Sequence, residues 1–287
     1  MIRAYLELLR PANVATALAD VLAGFAVAGL HDRRALPWLL ISTASLYAGG
    51  VVLNDVFDRR LDAVERPERP LPSGRASVRS AAILGALLLA GGMLAGSGAN
   101  RTAGLMASAI AGLVLLYDVW GKRHALTAPV NMGLCRALNL LLGVTAAPAA
   151  LVTAWPLGGI PLLYIGAVTL LSRGEVHGGG RRTAVVALIS LSVALLALGV
   201  VSLSVGGGSL PALALVVLLG WRVLPPFWKA SIHAESGAIR QAVKAGVLSL
   251  VLVNAAIGAT YAGFAYSIII LATGALAVWL ARRFLVT

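Results

Sequence analysis

The chain has 287 residues, of which 59% are hydrophobic and only 12% are charged, and its mean hydropathy is +0.90. About a quarter of the residues in a soluble domain are charged, so this composition excludes an ordinary water-soluble protein and indicates a polytopic membrane protein. The net charge of +12 would suit nucleic acid, but the basic residues are distributed as in a membrane protein, and we expect no nucleic-acid partner.

Apolar runs long enough to cross a bilayer recur along the whole chain. A transmembrane helix needs about 20 predominantly apolar residues, and we expect an all-α bundle of such helices in a single domain covering residues 1–287. The last two runs are separated only by residues 261–263, which leaves nine helices as the alternative to ten. The ten predicted spans are residues 12–30, 36–53, 77–96, 102–118, 128–148, 155–171, 183–205, 209–224, 242–262 and 264–281.

The basic residues fall mainly on one face of this predicted bundle. With ten alternating spans, nineteen Lys and Arg residues share the face of the N-terminus, three lie on the other face, and Arg136 lies within a span. Nine spans would give seventeen and five. Lys and Arg accumulate in cytoplasmic loops, so the pattern favours ten spans with a cytoplasmic N-terminus. The Ala-, Gly-, Leu- and Arg-rich composition further predicts a bacterial inner membrane.

An acidic segment follows the second predicted span directly. Residues 54–62 read NDVFDRRLD; on a helix, Asn54, Asp58 and Asp62 are four apart, and Asp55, Asp58 and Asp62 follow a three-then-four spacing. Either spacing places the carboxylates along one face, where they repel one another unless a cation lies between them. Mg²⁺ prefers oxygen ligands and typically takes one or two protein carboxylates together with substrate phosphates. The segment therefore predicts a magnesium site.

A proline-rich basic segment comes next, at residues 63–75, which read AVERPERPLPSGR. Its prolines, Pro67, Pro70 and Pro72, are expected to end the helix and to produce an extended loop that carries arginines. Carboxylates that hold a metal, followed closely by arginines, suit a diphosphate bound by both. The alternative is a charged helix end whose arginines anchor the membrane interface.

Three stretches of the chain resemble the UbiA superfamily of intramembrane prenyltransferases. Residues 54–62 resemble its first aspartate-rich motif, residues 66–74 resemble the segment that follows that motif, and residues 10–13 (RPAN) are similar to the family's opening. The resemblance implies a helical bundle, commonly of nine spans, around a central cavity. It also implies that Mg²⁺ holds an isoprenyl diphosphate between two acidic motifs, and that the allylic cation left by the diphosphate alkylates a lipophilic acceptor.

The resemblance also assigns roles to individual residues. By matching positions, it implies that Asn54, Asp58 and Asp62 are metal ligands, with Asp55 beside them. Asp58 and Asp62 are the residues on which catalysis would depend. Asn13, in the segment that resembles the family's opening, has two interpretations: its side chain faces the diphosphate, or it forms a hydrogen bond with a neighbouring helix.

Further substrate contacts are predicted in the fourth and fifth spans. Lys122 and Arg123 match basic positions that contact diphosphate in the family, with a cytoplasmic anchor as the alternative. Arg136 and Asn139 lie three residues apart on one face of the fifth span, and Arg136 is expected to face the cavity because exposure of a charge to lipid is costly. A substrate contact and a structural ion pair with Asp20 are the two interpretations of Arg136.

The second acidic motif of the family has no full counterpart. The family usually carries aspartates four apart at the end of the sixth span, whereas residues 172–182 read SRGEVHGGGRR, with Glu175 as the single carboxylate. Glu175 is a candidate ligand of a second Mg²⁺, while Arg173, His177 and Arg181 are candidates for binding diphosphate oxygens. The alternative is a flexible interfacial loop. This loop resembles the EboC branch, which is described as UbiA-like.

The sequence thus predicts an Mg²⁺-dependent intramembrane prenyltransferase that moves an isoprenyl group from its diphosphate to a lipophilic acceptor at the cytoplasmic face. One alternative is a catalytically degenerate member of the family that binds or moves a lipid-like metabolite, which the altered second motif favours. The other is an unrelated transporter. Transporters place substrate groups near the bilayer midplane, whereas most acids of this chain cluster at one edge.

Overall fold

Long α-helices make up most of the chain that the structure describes. The computed structural model describes residues 2–175, 178–205 and 208–283, and these residues contain no β-strand. Their α-helices are α1 (Ile2–Leu9), α2 (Pro11–Val27), α3 (Ala35–Glu65), α4 (Val78–Ala99), α5 (Arg101–Val119), α6 (Thr127–Val144), α7 (Leu151–Ala154), α8 (Gly159–Ser172), α9 (Arg181–Ser204), α10 (Leu210–His233), α11 (Ser236–Ala262) and α12 (Phe264–Arg283).

Within the described residues, ten of these helices overlap the ten predicted spans in chain order. Eight segments of this part of the chain are long and apolar enough to cross a membrane: α3, α4, α5, Pro148–Ser172, α9, α10, α11 and α12. The other two, α2 with 17 residues and α6 with its polar residues, are mostly buried by their neighbours. The prediction of an all-helical polytopic membrane protein is confirmed.

Two glycines allow the inner helices α2 and α6 to approach each other closely. A Cβ atom added to Gly24 of α2 would lie 1.9 Å from the carbonyl oxygen of Leu140, and one added to Gly143 of α6 would lie 2.2 Å from the carbonyl oxygen of Val21. Both distances are far below van der Waals contact, so the crossing requires glycine on each side. The close approach places the polar side chains of α2 within hydrogen-bond reach of α6.

The longest helix, α3, carries the acidic segment. Its 31 residues extend over about 46 Å at a rise of ~1.5 Å per residue, whereas the hydrocarbon core of a bilayer is only about 30 Å thick. The acidic residues therefore lie on a continuation of the helix and not in a loop. The helix ends at Glu65; the next residue, Arg66, has φ −145°, since a residue before proline disfavours the helical conformation.

The segment after α3 folds back against the helix. Ala4 and Leu8 of α1 pack with Val52 of α3 and with Leu71 of the proline-rich segment in one small apolar cluster. This cluster holds the proline-rich segment beside the acidic end of α3. The arginines of the segment are thereby brought close to the acids that precede them in the chain.

Candidate functional site

A cavity of about 350 Å³ lies between α2, α3, α5 and α6. Part of its wall is apolar and includes Leu46, Ile110 and Val114. Its volume falls in the range of roughly 300–1,000 Å³ that is typical of small-molecule sites. The polar residues that line it are Arg10, Asn13, Thr43, Tyr47, Asn54, Tyr117, Asp118, Arg136 and Asn139.

The acidic segment divides into two edges that face different partners. On one edge, both carboxylate oxygens of Asp62 accept hydrogen bonds from Nη1 of Arg69, at 2.9 and 2.8 Å. Nη1 of Arg69 also lies 3.5 Å from Oδ1 of Asp55, and Asp55 accepts a hydrogen bond from Arg10. Asp55 and Asp62, which were predicted as metal ligands, thus lie buried against arginines.

The other edge of the segment faces the end of α5. Nδ2 of Asn54 donates a hydrogen bond to Oδ1 of Asp118, at 2.7 Å. Nζ of Lys122 lies 2.6 Å from Oδ1 of Asp58 and 3.7 Å from Oδ1 of Asp118. On this edge Asn54 thus contacts an acid of α5, Asp118, and Asp58 contacts the ammonium group that also lies near Asp118. The carboxylates of the segment thus contact two different sets of partners, Asp55 and Asp62 on one edge and Asp58 on the other.

Arg10 connects the N-terminal helix to the acidic segment. Its backbone lies in the left-handed region, with φ 45° and ψ 61°, immediately before Pro11 at the start of α2. This conformation is costly for a residue other than glycine. The ion pair of the guanidinium with Asp55 compensates for that cost and directs Arg10 into the cavity wall. It therefore fixes residues 10–13 (RPAN) at the start of α2.

Inside the bundle, Asp20 organises a network of buried polar groups. Its Oδ2 accepts hydrogen bonds from Nη1 of Arg136 at 2.8 Å and from Nδ2 of Asn139 at 2.9 Å. Its Oδ1 accepts one from Nδ2 of Asn254 at 2.7 Å. The guanidinium of Arg136 also stacks over the ring of Tyr47, 5.0 Å from its centroid. Of the two interpretations of Arg136, the structure shows the ion pair with Asp20, and Arg136 lines the cavity as well.

The basic residues after α5 form a second connection at the mouth of the site. Nη1 of Arg173 donates to the carbonyl oxygens of Lys122 and His124, both at 3.3 Å. These two hydrogen bonds hold the turn Gly121–Arg123 against the end of α8. Lys122 is thereby directed at Asp58, whereas the side chain of Arg123 is exposed.

The described residues of the altered second motif, 172–175 and 178–182, do not line the cavity. The carbonyl oxygen of Glu175 accepts a hydrogen bond from Arg240 at 3.3 Å, and burial raises the pKa of the Glu175 carboxyl despite the opposing effect of Arg240 and Arg66. Arg181 is exposed at the start of α9. His177, predicted as a substrate contact, lies outside the described residues. Asn13 lines the cavity near Arg10.

The residues at the mouth fit a magnesium ion. No group of three or more His, Cys, Asp and Glu residues that could hold a metal occurs in the described part of the chain. Mg²⁺, however, usually takes only one or two protein carboxylates and completes its shell with water and phosphate oxygens. Asn54, Asp58 and Asp118 provide two carboxylates and one amide oxygen, and Oδ2 of Asp118 is buried without a hydrogen-bond partner.

Sequence reasoning did not single out two residues of the site, Asp118 and Arg69. Asp118 adjoins Lys122 within one helical turn and ends an otherwise apolar helix, and an acid in such a position is usually functional. Arg69 belongs to the proline-rich segment, whose arginines were expected near a diphosphate. Their individual partners depend on the fold.

Residues 14–242 of the chain match the model of the UbiA prenyltransferase family. Among curated proteins, a digeranylgeranylglyceryl phosphate synthase of Ignicoccus hospitalis is 35% identical over 178 residues, which are 62% of this chain and 58% of that protein. The chain therefore spans less than two thirds of the length of this relative. The family match includes both edges of the acidic segment and the end of α5, since all of them lie between residues 14 and 242.

Solved structures of UbiA homologues share the fold. One is the apo structure of a homologue from Aeropyrum pernix K1, with a TM-score of 0.73, 15% identity, and coverage of 85% of this chain and 96% of that chain. Another is a homologue from Archaeoglobus fulgidus bound to DMAPP and Mg²⁺, with a TM-score of 0.55, 16% identity, and coverage of 96% and 99%. At these identities the likeness establishes the helical architecture alone.

Proposed function

Because the chain belongs to the UbiA prenyltransferase family, we propose that it transfers an isoprenyl group from its diphosphate to a lipophilic acceptor in an Mg²⁺-dependent reaction. The observation that carries this proposal is the meeting of Asn54, Asp58 and Lys122 with the end of α5, at the mouth of a largely apolar cavity. Metal ligands, a phosphate-binding cation and a hydrocarbon pocket are the three parts that the reaction requires.

In this proposal, Asn54 and Asp58 hold the metal, as the motif predicts. The homologue from Archaeoglobus fulgidus binds Mg²⁺ together with DMAPP, which supports the same pairing of metal and allylic diphosphate here. When bound, Mg²⁺ would neutralise part of the charge that develops on the leaving diphosphate. Asp55 and Asp62 have a different role, because they hold Arg10 and Arg69 beside the site, where these guanidinium groups can bind diphosphate oxygens.

The basic residues of the mouth bind and orient the diphosphate. Lys122 and Arg123 lie on the turn that Arg173 holds in place, and this turn faces the end of α3. We keep Arg181 and His177 as further candidates for the same role. Glu175 serves as a ligand only if its loop moves toward the cavity, because the cavity wall does not include it.

The reaction itself breaks one bond and forms one. The C–O bond of the allylic carbon breaks and its electron pair leaves with the diphosphate. A nucleophilic atom of the acceptor then bonds to that carbon and releases its proton to water outside the apolar wall of the cavity. The apolar wall around Val114 excludes water from the allylic cation. The guanidinium of Arg136 stacks over the ring of Tyr47. This ring has the electron-rich face that an allylic cation also prefers. Asn13 and Asn139 complete the polar end of the pocket.

We infer a cytoplasmic position for the site, since the acidic end of α3 shares its face with most of the Lys and Arg residues. The whole chain would then form one transmembrane domain. A bacterial inner membrane remains a proposal based on composition, because the curated relative named above is archaeal.

The test of this function is release of diphosphate by the purified protein. Labelled isoprenyl diphosphates of several lengths are supplied with Mg²⁺, with and without a lipid extract of the host. A glyceryl phosphate that bears one geranylgeranyl group is the first defined acceptor, since the curated relative is named for a product with two. Release should stop when Mg²⁺ is chelated and should fall roughly 100-fold or more in Asp58→Asn.

The matched control is Glu65→Gln, which removes an exposed acid from the end of the same helix and should leave release unchanged. The second candidate function, a degenerate binder of a lipid-like metabolite, is favoured by the position of Glu175 away from the cavity. Mg²⁺-dependent binding of isoprenyl diphosphate without release, at every chain length and with lipid extract present, would support that binder and contradict the transferase.

A further inference from the structure

Among the described residues, one carboxylate oxygen at the mouth of the cavity has no hydrogen-bond partner. Asp118 is only 2% exposed, and its Oδ1 accepts a hydrogen bond from Asn54. Its Oδ2 is buried and makes no hydrogen bond. A buried carboxylate oxygen without a donor is costly, so this position on α5 is expected to serve a purpose other than packing.

The surroundings of Asp118 favour a cation as its partner. Asp58, from α3, and Asp118, from α5, face each other across the single ammonium group of Lys122, which lies 2.6 Å from one carboxylate and 3.7 Å from the other. The two acids therefore share one positive charge. Asp118 also lines the cavity together with Asn54, the proposed metal ligand that donates a hydrogen bond to its other carboxylate oxygen.

The position of Asp118 is significant because the second acidic motif, at residues 172–182, is altered. Residues 172–182 contain one acid, Glu175; its carbonyl oxygen accepts a hydrogen bond from Arg240, and Glu175 does not line the cavity. The acid that is missing on that side of the bundle is present at the end of α5. A carboxylate at Asp118 approaches the site from a helix other than α3, as the second motif is expected to do.

We propose that Asp118 is a metal ligand and supplies, from α5, the second-side carboxylate that residues 172–182 lack. Lys122 would then compete with a metal for the Asp58–Asp118 pair, and with a metal held there its ammonium would be free to bind the diphosphate. This inference rests on the proposed function, since the metal serves the same diphosphate, but it concerns metal binding and is tested without turnover.

The experiment measures Mn²⁺, a spectroscopic substitute for Mg²⁺, by electron paramagnetic resonance on the full chain in lipid nanodiscs, with a non-reactive thio-diphosphate analogue present. Asp118→Asn keeps the oxygen that accepts from Asn54 but removes the charge. Its affinity for Mn²⁺ should fall at least tenfold, since changes even in the groups that support metal ligands cost roughly 10- to 100-fold. Glu65→Gln should bind as the wild type does.

A second variant keeps the inference testable if Asp118→Asn is poorly folded. Asp118→Cys places a soft thiolate at the same position, and soft ligands select thiophilic metals. The ratio of Cd²⁺ to Mn²⁺ affinity should rise at least tenfold over that of the wild type, which also contains the single native cysteine, Cys135. A purely structural role of Asp118 would leave this ratio unchanged.

The competing role of Lys122 has its own readout. In Lys122→Met without any diphosphate, the affinity for Mn²⁺ should rise several-fold, because the ammonium no longer neutralises the two acids. With the analogue present, the gain should disappear, since the diphosphate then lacks a cation.

The outcomes separate this inference from the proposed function. Unchanged Mn²⁺ affinity in Asp118→Asn, or an unchanged metal ratio in Asp118→Cys, would overturn the assignment of Asp118, while loss of diphosphate release in Asp58→Asn would still support the transferase. Absence of saturable Mn²⁺ binding by the wild type would overturn the ligand assignment itself. Diphosphate release that persists without divalent metal would contradict the Mg²⁺-dependent reaction.

Discussion

Asp20 shows how one buried acid holds several helices in register. It is fully buried in α2 and accepts hydrogen bonds from two side chains of α6 and one of α11. The geometry satisfies a charge that would otherwise be very costly inside a membrane. Because Arg136 lines the cavity on its other side, the same bond that joins the helices fixes the polar end of the pocket.

We expect Asp20→Asn to destabilise the protein by about 3–5 kcal/mol, because it leaves the buried guanidinium of Arg136 without a counter-charge. Denaturation in detergent micelles measures the change. The double variant Asp20→Asn with Arg136→Met should recover part of the loss, since no uncompensated charge remains. Equal stability of the single variant and the wild type would show that the pair contributes nothing to the bundle.

Asp58 and Asp62 should differ in their effect on metal binding, although the motif treats them alike. Asp58→Asn should abolish detectable Mn²⁺ binding. Asp62→Asn should keep the affinity within about threefold of the wild type, because both oxygens of Asp62 are bound by Arg69 and Mg²⁺ typically needs only one or two protein carboxylates. The resonance measurement described for Asp118 serves here too. Equal losses in both variants would restore Asp62 as a direct ligand.

The spacing of the motif predicts its helix but not the partner of each acid. At roughly 100° per residue, Asn54 and Asp58 are about 40° apart, and Asp55 and Asp62 are about 20° apart on the far side of an arc of about 100°. All four side chains therefore lie on one face of the helix. Which edge meets α5 and which meets Arg69 depends on the packing of helices that are distant in sequence. Asp118, 64 residues after Asn54, could not be joined to the motif by spacing.

At the scale of helices, the apolar runs predict where each element crosses the bundle but not where it ends. The span predicted to end at residue 53 belongs to a helix that continues to Glu65, and the span predicted to end at 224 belongs to one that continues to His233. Hydropathy falls where charged residues begin, whereas backbone hydrogen bonds continue into the water layer. Pro225 and Pro226 lie inside α10 without ending it. The acidic side of the site is built on the extension of α3.

The crossing of α2 and α6 makes a prediction about glycine. Gly24→Ala should destabilise the bundle by about 1–3 kcal/mol or more, because its Cβ would collide with the backbone of Leu140, which cannot move as a side chain can. It should also weaken substrate binding by separating Asp20 from Arg136. Gly112→Ala is the matched control on α5, since no atom lies within 4 Å of its added Cβ. Alanine there should be neutral or slightly stabilising. Similar melting temperatures for the two variants would contradict the close crossing.

At the scale of the whole molecule, the count of helices and the distribution of charge support each other. With the ten proposed crossings, the end of α12, with Arg282 and Arg283, would return to the face that carries α1. The acidic end of α3, the turn at Lys122 and the loop after α8 share that face. Every group proposed to bind the diphosphate therefore approaches from one side, while the apolar walls of the cavity extend into the membrane.

This topology can be tested by labelling single cysteines. In a Cys135→Ala background, Arg33→Cys should react with a membrane-impermeant maleimide in intact cells, because the proposed topology puts the segment between α2 and α3 on the outer face. Glu65→Cys and Arg283→Cys should react only after the membrane is permeabilised. All three native residues are exposed, so a difference in labelling reports the side of the membrane and not burial. If Arg283→Cys reacts from outside while Glu65→Cys does not, the chain crosses the membrane an odd number of times. The inference that the site is cytoplasmic would then rest only on the Lys and Arg residues flanking the first nine spans.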